Sequence, residues 1–197
     1  MMDNYASTTI GSMAIATGVV GILALLFLVL FFSVGEPFGT LNDFSNGVFA
    51  ITSAVLAWML HAEYHAKSPL SSQVALLFAL IGAVIAVIGS VLVIFKFTGW
   101  VLAGFYTGLG NALMGVWLAM FCYTFLREGP YPSKLMVVGI LTGILMAFGL
   151  FSLLGIISRI DSAGSMPWYL NIAYIGYLGS FLYLVWPIWL GRVLLAR

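Results

Sequence analysis

Residues 10 to 34 read "IGSMAIATGVVGILALLFLVLFFSV" without one charged side chain, inside an uncharged stretch of 32 residues between Asp3 and Glu36. At 1.5 Å of rise per residue, ~20 apolar residues in a helix cross the ~30 Å hydrocarbon layer of a bilayer. Backbone polar groups in lipid must pair within their own segment or within a closed barrel, and this run lacks the every-second-residue alternation of barrel strands. It therefore reads as a membrane-spanning helix. The residues before it, "MMDNYASTTIGS", contain no Lys or Arg, and Ala14-Ile15-Ala16 precedes the apolar run instead of following it. The segment is thus expected to be retained, not cleaved as a signal peptide.

Outward from this run the pattern repeats. Uncharged gaps of 19 residues (Asp43 to Glu63), 28 (Lys67 to Lys96), 30 (Lys96 to Arg127), 24 (Lys134 to Arg159) and 30 (Asp161 to Arg192) follow one another along the chain. Six helices are expected, over about 10–34, 41–66, 73–95, 100–126, 135–157 and 170–196. Their connections are short, so chain neighbours should pack antiparallel in one compact six-helix bundle, a single integral membrane domain over 1–197 of all-α class. The composition agrees, with 63% hydrophobic and 7% charged residues against about a quarter charged in soluble domains. The net charge of +1 offers nothing to nucleic acid. Cys122 is the single cysteine, which excludes an intrachain disulfide.

Orientation follows from the basic residues near helix ends. With six spans, both termini share a side with the second and fourth loops. That side carries Lys67, Arg127, Lys134, Arg192 and Arg197, against Lys96 and Arg159 on the other. A multi-pass protein of the cell membrane with both termini cytoplasmic is expected, its Glu36 and Asp43 facing outward. Trp100, Trp168 and Tyr169 then fall where an outer aromatic belt belongs. Small residues at four-residue spacing, such as Gly82, Ala86 and Ser90, or Gly139, Gly143 and Ala147, mark faces on which helices approach closely in lipid.

Both histidines lie in "LHAEYHAK" (60–67). At about 100° per residue His61 and His65 share one face of the second helix, continuous with Ala57, Ala54, Ala50, Gly47 and Asp43, while Glu63 lies nearly opposite. They are metal or haem candidates by spacing, but "HAEYH" misplaces the acid of the zinc motif H-E-x-x-H. A catalytic zinc needs a third protein ligand, for which Cys122 and Glu128 are the nearest additions. The expected role is structural, with no metal and no cofactor. Thr40 and Asp43 read as an acidic capping box for the second helix, leaving Glu36 over. No enzyme signature appears, and no charged residue sits mid-span, which removes the usual means of proton-coupled transport.

Uncharged polar residues gather in the outward halves of the second, fourth and sixth helices. Asn46, Asn111, Asn171, Tyr174 and Tyr177 are the expected lining of an outward-opening ligand site, because an unpaired amide or hydroxyl in an apolar medium costs roughly 2–7 kcal/mol. The loop "GEPFGTLND" (35–43) after a Leu/Phe-rich first helix resembles small bacterial six-helix integral membrane proteins of uncharacterised activity, with a GEPFG-x-LND loop in that place. The resemblance covers the first third of the chain, implies the six-helix architecture and carries no activity and no residue role. The expected function is non-catalytic, either an accessory subunit of a membrane complex or a binder of a small apolar or amphipathic ligand. Expected partners are the lipid bilayer and such subunits or ligand. A small polar-lined carrier is the alternative, and a metal- or haem-binding redox subunit the third reading.

Overall fold

The computed structural model describes residues 4–65, 69–128 and 130–196. Lys67 and Arg197, and the side chains of Arg127 and Glu128, on which the orientation and one metal candidate drew, lie outside the described residues. Among the described residues seven α-helices carry six spans: α1 (Asn4–Val34), α2 (Phe38–Tyr64), α3 (Pro69–Ile94), α4 (Trp100–Glu128), α5 (Ser133–Ala147), α6 (Ser152–Ile157) and α7 (Asn171–Leu195). Six stretches are long and apolar enough to cross a membrane, the fifth (Ser133–Ile157) being α5 and α6 joined end to end. The protein is an all-α polytopic membrane bundle.

The helices form a ring: α1 packs on α2, α2 on α3, α3 on α4, α4 on α5, α5 on α7, and α7 back on α1. Across the ring α4 touches both α7 and α2. Burial follows this plan. The share of buried residues is 39, 50 and 44% in the second, fourth and sixth spans, against 22, 33 and 33% in the first, third and fifth. The even spans thus supply most of the interior, and α1, α3 and α5 leave aliphatic faces exposed on the outside of the bundle.

Glycine sets the closest seams. A Cβ on Gly82 would lie 2.6 Å from the Gly110 carbonyl oxygen, and one on Gly110 would lie 2.5 Å from that of Gly82, so α3 and α4 meet backbone to backbone. Gly11 and Gly191 do the same between α1 and α7. With no hydrophobic force between helices in lipid, such close approach is what dispersion requires. Gly149 fills a three-way seam, beside the Gly108 carbonyl of α4 and Gly176 of α7. Here the fifth span tightens into a 3-10 turn, Phe148–Phe151, that separates α5 from α6. The expected single helix over 135–157 is therefore interrupted.

α2 starts at Phe38, three residues before the expected 41. The reason is Glu36: its Oε2 accepts hydrogen bonds from the Thr40 backbone N–H (3.3 Å) and Thr40 Oγ1 (3.2 Å). An acid there satisfies a free N–H and complements the positive end of the helix. The Thr40–Asp43 box does not form, and the leftover acid does the capping. On the same side of the bundle, Lys96 (φ 57°) and Arg159 (φ 51°) end α3 and α6 in the left-handed conformation. Phe97 N–H donates to Leu92 O and Ile160 N–H to Gly155 O, the long bond of a Schellman ending. Asp161 ties these two ends together by accepting from Gly99 N–H (3.0 Å) and Thr98 Oγ1 (3.3 Å).

Candidate functional site

Two polar regions stand at opposite ends of the bundle, separated by an aromatic core. The core begins at Phe49 of α2, whose ring lies 5.6 Å from that of Tyr183. Tyr183 stacks on Trp186 (6.3 Å, 20°), and Trp186 meets Trp117 edge-on (6.5 Å, 88°). Phe121, Phe125 and Tyr131 continue it toward the α4–α5 loop. Trp186 is fully buried, and its indole N–H donates to Leu135 O at 3.1 Å. Gly139 makes room for the indole, since a Cβ there would come within 2.6 Å of its nitrogen.

At the His61 end, a pocket of ≈ 20 Å³ is lined by His61, Ser72, Trp117, Phe121, Thr124 and Phe125 among others. That is room for a water, which needs about 10–15 Å³ by the same measure. His61 Nδ1 and Ser72 Oγ share a hydrogen bond at 2.7 Å, and the His65 ring lies 5.5 Å from that of His61. His65 Nδ1 pairs with Ala62 O at 3.1 Å. Cys122 is buried and points at Gly139 of α5. Among the described residues no group of three or more His, Cys, Asp and Glu could hold a metal ion. Replacing His61 by Gln should leave metal and haem content at background and lower thermal stability by about 1 kcal/mol, the net worth of one hydrogen bond. His65→Gln, at an exposed position, should change neither. Metal analysis and thermal unfolding of the purified variants check both.

At the Glu36 end, Asn46 stands on α2 between Asn42, which donates to Ala24 O of α1 at 2.7 Å, and Gly47, which faces Ser90 of α3. That position points to the bundle axis. Asn46 Nδ2 donates to Asn42 Oδ1 at 3.2 Å, leaving its own Oδ1 without a partner. Asn111 lies on α4 between Thr107 and Gly110, which face α3, and Gly108 and Gly115, which face the fifth span. It too is directed inward. Its side chain is half-buried and makes no hydrogen bond among the described residues. Tyr177 reaches from α7 to α4, donating to Gly104 O at 3.0 Å.

No protein-family model, no curated protein and no solved structure matches this chain.

The remaining two expected lining residues sit apart. Tyr174 is 41% exposed, stacks on Tyr177 at 5.8 Å and donates to Met166 Sδ at 3.7 Å. Asn171 is exposed at the first turn of α7. Asn46, Asn111 and Tyr177 are inward residues of α2, α4 and α7, whereas Asn171 and Tyr174 occupy the end of the last span.

Deeper in, Ser53, Ser90, Thr142 and Tyr183 carry buried hydroxyls with no partner among the described residues, and of these the sequence had marked only Ser90, as a packing residue. The contrast with other helical hydroxyls is informative. Thr17, Ser33, Thr107, Thr124 and Ser180 each donate to the carbonyl four residues back, the usual resort of a hydroxyl on a membrane helix. Ser53, Ser90 and Thr142 do not. Tyr183 OH and Ser53 Oγ approach each other from α7 and α2 without reaching hydrogen-bond geometry. The one sequence signal was position: Ser90 falls on the small-residue line Gly82, Ala86, Ser90 of α3.

Proposed function

We propose that this protein is a non-catalytic membrane protein that binds a small amphipathic ligand inside the bundle, entered from the Glu36 end. The observation carrying this reading is the set of inward polar groups without partners. Asn111 and Asn46 Oδ1 stand at the upper level, and beneath them Ser53 and Tyr183 face each other from α2 and α7. Each costs roughly 2–7 kcal/mol if left unpaired in an apolar medium, so a ligand with matching donors and acceptors gains what the empty interior lacks. The aromatic core from Phe49 to Trp186 forms an apolar floor for the rest of such a ligand, and Asn171 and Tyr174 stand at its entrance.

Both termini are proposed to be cytoplasmic in the cell membrane, so that the site opens outward; the bias of five basic residues to two supports this. A reporter active only outside the membrane, fused after Arg197, should give no signal, and a strong signal would invert the topology.

Ligand binding is tested by gentle extraction into native lipid discs followed by mass spectrometry of small molecules and proteins. A stoichiometric small molecule, lost in Asn111→Leu, is expected. Bulk membrane lipids alone would remove the reading, and a stoichiometric partner protein alone would favour an accessory subunit. A carrier is the second reading, favoured by Pro187 within α7. Its missing N–H is the donor that would have paired with the Tyr183 carbonyl, so the helix has a place to bend beside the proposed ligand floor. Uptake into proteoliposomes separates carrier from binder.

A further inference from the structure

Asp43 lies within the second span, half-buried, and makes neither hydrogen bond nor ion pair among the described residues. It stands beyond the first turn of α2, where the favourable end of the helix dipole has faded. Glu36, the neighbouring acid, is exposed and occupied with Thr40. Lys96, the base that follows α3, is exposed and forms no ion pair among the described residues. A half-buried carboxylate with neither hydrogen bond nor counter-charge is costly, and a cation beside it relieves that cost.

The surroundings of Asp43 indicate which one. One helical turn below it on the same face is Gly47. A methyl group on Gly47 would lie 3.4 Å from Ser90 Cβ and 3.5 Å from Ser90 Oγ, with nothing else outside its own helix within 4 Å. Ser90 is 97% buried, at 3% exposure, and its hydroxyl has no partner. It neither bonds back to its own helix nor crosses to another. Asn46, three residues after Asp43, has its amide nitrogen committed to Asn42 and its carbonyl oxygen free. The unused atoms are therefore oxygens: a carboxylate, an amide carbonyl and a hydroxyl, with small space left by a glycine between α2 and α3.

We infer that Asp43, Asn46 and Ser90 form a binding site for a monovalent cation, with Gly47 giving it room. Hard cations take oxygen ligands. A single carboxylate neutralises a single positive charge, whereas a divalent ion would leave net charge in a low-dielectric setting. The site shares the entrance of the proposed ligand cavity and the Asn46 oxygen, but rests on Asp43 and Ser90, which the ligand reading does not use, so either stands without the other. The same chemistry fits a free Na⁺ or K⁺ and the ammonium head of a larger ligand.

The experiment is thermal unfolding of the purified full-length protein in lipid discs. NaCl, KCl and methylammonium chloride are titrated, with choline chloride holding ionic strength constant. One or more of the three cations should raise the midpoint saturably, as binding to the folded state requires. Response to Na⁺ or K⁺ identifies a metal-ion site, and response to methylammonium alone identifies an amine headgroup site. Gly47→Ala, which fills the space without a clash, should keep the starting midpoint and weaken the response roughly tenfold or more. Asp43→Asn should abolish it, and Lys96→Gln should leave it intact. Equal response to all salts including choline, or an undiminished response in Asp43→Asn, overturns the inference. The small-molecule content of the untreated protein tests the ligand reading separately.

Discussion

Replacing Trp186 by alanine is expected to destabilise the protein by about 3 kcal/mol, the lower end of the ~3–5 kcal/mol range for an aromatic deleted from a core. The lower end applies because an unfolded helix in lipid leaves the indole in apolar surroundings, so the water-transfer part of the usual cost largely falls away. What remains is the cavity and the lost dispersion contacts with Tyr183, Trp117 and Phe121, on which the indole packs at centroid distances of 6.3–6.5 Å. The donor to Leu135 O also goes. Trp186→Phe separates these parts, keeping most of the packing while losing the hydrogen bond, and should cost about 1 kcal/mol. Reversible unfolding in mixed micelles measures both. Equal losses in the two variants would mean that the hydrogen bond, and not the packing, holds α7 to the fifth span.

Gly110→Val should be more damaging, because the atoms it meets cannot move aside. A Cβ at this position lies 2.5 Å from Gly82 O and 2.7 Å from both the backbone nitrogen and the Cβ of Ala86. These belong to backbone or to its first side-chain carbon, so the whole α3–α4 seam must part. Overpacking of a core that can adjust costs typically ~1–3 kcal/mol, and this seam has less freedom than that. Loss of the folded protein's size-exclusion peak after extraction is the expected result. Gly164→Val is the matched control: nothing lies within 4 Å of its Cβ, and it should extract like the parent protein. Recovery of folded Gly110→Val in similar yield would show that α3 and α4 do not pack this closely.

The spans were readable from the charge gaps because a charge in hydrocarbon is excluded more strongly than any local propensity acts. The even-numbered helices could likewise be recognised as the interior, since polar residues at mid-depth must face protein. Element ends were less readable. Glu36 caps α2 from outside the pattern that Thr40 and Asp43 present, and nothing in "FGLF" distinguishes Phe148–Phe151 from helix until Gly108 and Gly176 close on Gly149. At the candidate site, helical spacing sufficed for Asn111, whose small-residue line on α4 faces inward. It did not suffice for Asn171 and Tyr174, because depth along a span says nothing of which way its end turns. Ser53, Ser90 and Tyr183 were illegible for a different reason. A lone hydroxyl on a membrane helix ordinarily bonds to its own backbone, and only the packed structure distinguishes those that do not.

Ligand entry requires water access to the bundle interior at Asn111 from the Glu36 end. The most direct test is a single cysteine at Asn111 in a Cys122→Ala background, exposed to a charged, membrane-impermeant thiol reagent. A cysteine at Ala163, which is exposed on the α6–α7 connection, reports the same side. Labelling of both from that side is predicted, with the reaction at 111 slowed by whatever small molecule co-purifies. Labelling at 163 with none at 111 would mean that α2, α4 and α7 close over Asn111, and the interior site would not exist.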